Sequence, residues 1–462
     1  MDFVANTEKD QKEMLSKIGV NSVEELFSDM PEDLRKASLK LSSGLSEQGL
    51  LDYFEKIGRK NKTTKDLLSF LGAGAYEHFI PEALNYIASL PGFATPYTPY
   101  QAEASQGTLQ TIYEYQTLIC QLTGMDVANA SLYDGATAVA EAANLSFNVT
   151  SKKKILVAKT LHPEYQKVLK TYFAQKLEII EIGFSDGVID FKQLKENLSE
   201  DAASLILQQP NFFGCLEDVQ ALEKMVHQAG VLLVVAVNPI SLGILKRPGD
   251  FGADIVVGEG QPLGIPLNFG GPYLGFLATR EKFLRQIPGR LVGQTKDKEG
   301  KRGYVLVLQT REQHIRRERA TSNICTNSAL NALRAAVYLS LLGKQGLYEV
   351  AELNLQKAHY LAEEISKISG FSLRFSQPFF NEFVVKMPDV PEVLIEKCLK
   401  RKIIPGFALG RFYPELKDSI LVCVTETKSR KNIDKLVEVL KSVSANASAS
   451  ALRASADEGG QQ

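Results

Sequence analysis

At 462 residues, with apolar side chains at 44% and charged ones at 23%, the chain has a globular composition and length enough for two or three domains. Its 53 basic and 54 acidic residues leave a formal net charge of -1, so the balance does not ask for nucleic acid, which usually needs a basic surface. The longest apolar run near the middle, 231–237, is far short of the ~20 residues of a membrane helix and reads as a buried strand.

The chain opens Met1-Asp2-Phe3-Val4 and turns polar at once, without the pattern of a secretory signal, which implies a cytoplasmic protein. Residues 1–96 read as a helical segment uninterrupted by strands: Ser22-Val23-Glu24-Glu25 offers a capping box, and Leu26 and Phe27 open an apolar face. Pro91, Pro96 and Pro99 then forbid regular helix by removing donors and pushing their predecessors to extended backbone, and a domain boundary is placed here. After Ser105-Gln106-Gly107, Leu109, Ile112, Tyr113, Ile119 and Leu122 recur at the spacing of one buried helix face.

Short apolar strands at 154–158, 177–182, 204–207, 231–237 and 255–257 alternate with helical stretches at 162–176 and 216–228. That alternation predicts a large α/β domain over 97–326 with a mostly parallel sheet. Helix over 327–369, strand at 382–386, helix at 393–400, strand at 419–425 and a last helix at 431–443 predict a smaller α+β domain. The Ala/Ser-rich tail, 444–462, has too little bulky apolar surface to fold alone and is expected to be disordered.

Four stretches carry polar chemistry. Tyr97-Thr98-Pro99-Tyr100-Gln101-Ala102-Glu103-Ala104-Ser105 is dense enough in phenols, hydroxyls, amides and carboxylate for a site loop, and equally compatible with a polar surface loop. Leu132-Tyr133-Asp134-Gly135-Ala136 enters a helix through small residues, where free backbone donors can bind a phosphate or where close packing is needed. The strand 255–259 ends in a polar corner, Glu259-Gly260-Gln261, followed by glycines from Gly264 to Gly275; in a pyridoxal phosphate enzyme such a corner carries the Schiff-base lysine, and a glutamine amide cannot form an imine. Thr310 to Arg319 interleaves basic and acidic groups, the pattern of a solvated helix face, but leads into the polar loop Thr321-Ser322-Asn323-Ile324-Cys325-Thr326 that begins the next helix. Cys325 is expected to be an ordinary small buried residue, and neither the five cysteines nor the five histidines show metal-ligand or disulfide spacing.

Taken together, 97–107, 132–136, 259–272 and 310–326 closely resemble the glycine decarboxylase P-protein family, and in particular its alpha-subunit form in two-subunit bacterial systems. The resemblance implies a pyridoxal phosphate-dependent transferase fold of the aspartate aminotransferase type, and it brings a second departure into view. Ala236 stands where the family's fold would place an aspartate facing the pyridine nitrogen, as Gln261 stands at the lysine position. Catalytic and cofactor-binding residues are therefore expected on a partner beta subunit, which would hold the pyridoxal phosphate, with no covalent attachment to this chain. The resemblance further implies that glycine is decarboxylated in a two-alpha, two-beta assembly and that the aminomethyl group passes to the lipoyl arm of H-protein. Thr98, Tyr100, Gln101 and Glu103 are candidates to line the partner's pocket, with Arg316 and Arg317 at the interface or on an anionic ligand. Two other readings stay open: a self-sufficient enzyme using Lys246, and a non-catalytic scaffold.

Overall fold

The computed structural model describes residues 5–35, 41–94, 96–268, 270–388 and 390–443. The expected tail, 444–462, and Phe269 within the glycine-rich stretch lie outside them. The chain divides into two compact units, Met1–Thr63 and Thr64–Gln462.

The first unit is helical. Thr7 caps Glu8–Ile18 through a reciprocal box with Asp10, and Gly19 closes that helix in the left-handed conformation. Ser22 accepts from the Glu25 N–H at 3.3 Å while Glu25 reaches back to the Asn21 N–H at 3.1 Å, so the expected box forms, one residue wider on its return bond. It opens a short 3-10 turn, Glu24–Phe27.

The division falls at 63/64 and not at the prolines around 96. The reason is a strand that helical periodicity did not foresee: Leu68–Ser69 pairs in parallel with Ile403–Ile404, and the Cys423 N–H donates to the Phe70 carbonyl at 2.9 Å. Phe70 is fully buried in the small-domain core, so residues 64–96 are tied to the second unit by both backbone and packing.

The centre of the second unit is a seven-stranded sheet in the order Val127–Ala128, Gly275–Thr279, Ile255–Glu259, Leu232–Val237, Ala202–Gln209, Lys154–Ala158, Glu178–Ile182. Gly275–Thr279 runs antiparallel to both neighbours, and the strands from Ile255–Glu259 to Glu178–Ile182 are parallel. Strand alternation sends Leu156, Leu205, Leu233 and Val256 to one face, and Ile155, Ile206, Val234 and Val257 to the other. Both faces are covered, the condition under which parallel strands become near-continuous apolar runs. Ala138, Val139, Ala142 and Ala143 of helix Gly135–Thr150 lie against one face, and Tyr115 and Ile119 of helix Gln106–Thr123 against the other. At roughly 1.5–3 kcal/mol for each large apolar side chain buried, these two layers outweigh any surface pair in holding the sheet.

Helix Ala329–Ser366 is broken at Gly343, whose φ of 60° and ψ of -172° suit glycine alone. Before the break Ala332, Ala335 and Leu339 pack on the large sheet; beyond it Ala358, Leu361 and Ile365 enter the small-domain core. That core lies on a four-stranded antiparallel sheet, Ser372–Leu373, Glu382–Lys386, Ser419–Cys423 and Phe407–Ala408, with helices Pro391–Lys400 and 430–443. A hairpin not foreseen from the sequence, Leu291–Lys296 with Arg302–Val307, leans on helix Gln106–Thr123.

Candidate functional site: a closed cofactor corner and an arginine-centred face

Strand Ile255–Glu259 is buried throughout and delivers Gln261, 1% exposed, to the corner after it. The amide is fully engaged: Oε1 accepts the Tyr76 N–H at 2.8 Å, and Nε2 donates to the carbonyls of Tyr76 and Ile265 at 2.9 and 2.8 Å. Gln116 clamps Val292 by the same two-way bond, both distances 3.0 Å, and Gln106 clamps Tyr304 at 2.8 and 2.9 Å. A glutamine matches one residue's N–H and C=O together because it carries both a donor and an acceptor; a lysine ammonium only donates.

Two residues before it, Glu259 fills the position where an anion would be received. Its Oε1 accepts from the Gln261 and Leu274 N–H groups at 2.9 and 3.0 Å, and its Oε2 from the Gly135 N–H at 2.9 Å. Gly135 is the first residue of helix Gly135–Thr150, the turn singled out in the sequence as a phosphate seat, and Asp134 caps the helix by accepting from the Thr137 N–H at 2.7 Å. A side chain at Gly135 would collide with the Tyr165 hydroxyl and crowd Glu259, so glycine is needed here for close approach. Burial pushes the Glu259 carboxyl up to about 8, against the pull of its three N–H donors.

What remains open beside the corner is a cavity of about 20 Å³ lined by Gly74, Tyr76, His162, Tyr165, Ala236 and Glu259, among others. That is room for about one water molecule and far below the ~300 Å³ at which small-molecule sites begin. His162 stacks on Tyr165 with ring centres 4.6 Å apart, and its Nδ1 accepts the Glu164 N–H at 3.1 Å, which leaves Nε2–H to donate to the Ala73 carbonyl at 2.9 Å. Burial lowers its pKa, so the ring is neutral as this bonding requires. Ala236, 1% exposed, brings no carboxylate to the cavity. The residues present therefore do not fit pyridoxal phosphate: no lysine and no aspartate line the cavity, Glu259 already holds the Gly135 N–H, and the room is about 20 Å³. Lys246 is exposed and does not line this cavity.

The other candidate residues divide. Tyr100 is 51% exposed, and its hydroxyl accepts from Arg290 Nη2 at 3.1 Å. Arg290, 4% exposed, also donates to the Cys325 carbonyl at 2.8 Å, Thr326 Oγ1 at 3.0 Å and Asn327 Oδ1 at 3.4 Å, while its Nε faces Glu312 Oε2 at 3.6 Å. One guanidinium thus joins the tyrosine loop to the loop before the long helix. Thr98 is half-buried, its carbonyl accepting the Tyr100 N–H at 2.9 Å, whereas Gln101 and Glu103 are exposed. Arg316 and Arg317 are exposed too, and among the described residues neither bonds to the Arg290 group. The charge run 310–319 is not one solvated helix face: it folds as single turns, Gln309–Arg311, Gln313–Arg316 and Arg317–Arg319, with Arg311 and Glu312 buried. Cys325, expected to be buried, is exposed because Arg290 and Tyr133 hold its backbone at the surface. A cavity of about 310 Å³, lined by Phe93, Tyr97, Ile112, Asn327, Ser328 and Leu333 among others, opens beside this face.

Sequence reasoning missed Arg290 and Glu259. The signal was there in a weak form, a lone charge in the apolar stretch Ile287-Pro288-Gly289-Arg290-Leu291-Val292 and a glutamate ending a strand buried on both faces.

The sheet order, the helix starting at Gly135 and the strand leading to Gln261 define a protein of the pyridoxal phosphate-dependent transferase fold in which the corner at Gln261 is a packed joint. Solved structures share the architecture at 12% identity: a NifS-like protein, TM-score 0.61, covering 81% of this chain and 98% of that one, and a sphingosine-1-phosphate lyase of Burkholderia pseudomallei K96243, TM-score 0.63, covering 94% and 99%. The family model "Glycine cleavage system P-protein" matches residues 1–440, and the chain belongs to that family. It is 57% identical over 439 residues to a probable glycine dehydrogenase (decarboxylating) subunit 1 of Desulfitobacterium hafniense, covering 95% of this chain and 98% of the relative. A protein of the same description from Prosthecochloris aestuarii is 52% identical, covering 96% and 100%. A crystal structure of glycine decarboxylase (P-protein) in inhibitor-bound form superposes with a TM-score of 0.89 at 40% identity, covering 96% of this chain and 100% of that one.

Proposed function

We propose that this chain is the alpha subunit of a glycine-decarboxylating P-protein and works only with a beta subunit that carries the pyridoxal phosphate. The pair removes carbon dioxide from glycine and hands the aminomethyl group to the lipoyl arm of H-protein. The observation that carries this reading is the closed corner: Gln261 is locked on Tyr76, Glu259 fills the anion seat, and the residual cavity is about 20 Å³. A chain of this fold without a usable lysine contributes to the reaction through a complementary chain, and relatives described as subunit 1 imply such a partner. On this reading Thr98, Tyr100, Gln101 and Glu103 face the partner's pocket, Arg316 and Arg317 lie at the interface, and the assembly holds two copies of each subunit.

Co-expression with the beta subunit, sizing, and a glycine–carbon dioxide exchange assay test the proposal. Exchange in the mixture and in neither chain alone is expected. Exchange by this chain alone, with a cofactor absorbance that borohydride fixes to one of its lysines, would overturn it.

A further inference from the structure

The geometry points to Arg290 as a positioning residue that sets Tyr100 and Thr326 as paired hydroxyl donors for an anionic oxygen group, carboxylate or phosphate, held at the partner's site. The inference rests on the pairing proposed above and names residues and a ligand chemistry that the pairing leaves open.

A guanidinium donates and never accepts. Where Arg290 Nη2 lies 3.1 Å from Tyr100 Oη and Nη1 lies 3.0 Å from Thr326 Oγ1, both hydroxyl oxygens act as acceptors toward it. Their own protons are thereby turned away from the arginine and left to donate elsewhere. Tyr100 is half exposed and Thr326 half-buried, so neither proton is aimed into a closed core. Asn327 is oriented by the same group: its Oδ1 faces Arg290, and its Nδ2 donates to Ala130 and Ser131 at 3.1 and 3.3 Å. The two outward hydroxyl donors form a face that can meet an anionic oxygen group, and Ser328, at the start of the long helix beside them, makes no side-chain capping bond.

Arg290 itself is too buried to be the ligand contact. Its charge is answered by Glu312, 3.6 Å away and equally buried, and the Tyr100 ring lies 5.5 Å from the guanidinium carbon and 5.5 Å from the His314 ring. The tyrosine is thus held on two sides before any ligand arrives, and such pre-organisation spares the complex the cost of ordering it. Lysine cannot replace the arginine: one ammonium nitrogen cannot span Tyr100, Cys325 and Thr326 together.

The test uses the assembled alpha–beta complex with Tyr100→Phe, Arg290→Lys and the double variant. Tyr100→Phe removes one exposed hydroxyl and its bond from Arg290 but keeps the ring beside the guanidinium, so it stays interpretable if Arg290→Lys folds poorly. The KM for glycine and kcat are read in the exchange assay, and cofactor affinity by returning pyridoxal phosphate to the stripped complex. Loss of a hydrogen bond to a charged group predicts about a tenfold effect. A rise in KM with kcat retained identifies the glycine carboxylate; weaker cofactor binding identifies the phosphate. Arg290→Lys moves the same constant, and the double variant is no worse than the larger single. Tyr100→Phe within twofold of the parent on both constants, or single effects that multiply in the double, overturns the inference. An inactive parent complex would instead overturn the pairing, and cofactor binding would still report on Tyr100.

Discussion

Replacing Gln261 with lysine gives the corner an amine able to form an imine, and the geometry says that the chain will lose stability without gaining a cofactor. Lysine has no acceptor for the Tyr76 N–H, which now bonds to Gln261 Oε1 at 2.8 Å and would be left buried and unpaired at a cost of about 1–3 kcal/mol. The longer side chain must also enter a site with about 20 Å³ beside it, where overpacking costs roughly another 1–3 kcal/mol. The combined destabilisation is about 2–6 kcal/mol, measured as a fall in the urea midpoint at unchanged slope. Incubation with excess pyridoxal phosphate, borohydride reduction and mass analysis should find no adduct at position 261, because Glu259 still holds the Gly135 N–H at the helix start. A variant as stable as its parent that binds one cofactor per chain would refute the argument that the corner is a joint.

Burial raises the carboxyls of Glu141, Glu259 and Glu382, to about 7, 8 and 7, from an ordinary 4.5, so the unfolded chain releases these protons first and stability falls as pH climbs from about 4.5 to 8. Glu259→Gln should flatten that slope by a few kcal/mol over the interval, while losing about 1–3 kcal/mol to an amide N–H set against a backbone N–H; an unchanged pH–stability curve would contradict it. Gly343→Ala places a side chain at φ 60°, ψ -172° and should destabilise by about 1–3 kcal/mol, read from denaturant midpoints, with no loss expected if the break is incidental. A maleimide should label Cys325 alone in the native chain within minutes, since Cys215, Cys398 and Cys423 are buried and Cys120 is half-buried; peptide mapping that finds another site first would count against the loop geometry.

The strand runs at 154–158 and 231–237 were legible because both faces of the sheet are covered and their apolar residues are nearly continuous. Gln261 stood out in the sequence because it sits in a polar corner that ends an apolar strand and precedes a run of glycines. What the glutamine does there was not legible, because its partner, Tyr76, lies 185 residues away in a segment that local periodicity assigned to a separate helical domain. Leu68–Ser69 escaped for a related reason: two residues of strand carry no period, and their pairing with Ile403–Ile404 is a tertiary fact. Arg290 was missed because a lone arginine shows its role only through the groups it gathers, Tyr100 being 190 positions distant and Cys325 to Asn327 thirty-five to thirty-seven.

Glu259, seated at the start of helix Gly135–Thr150, bears on supply as well as on structure. A chain that answers its own helix start with its own carboxyl group keeps no free seat there for a phosphate. On the pairing proposed above, loading runs in a single direction, toward the chain that can use what arrives. On that same proposal, counting bound cofactor would count partner chains.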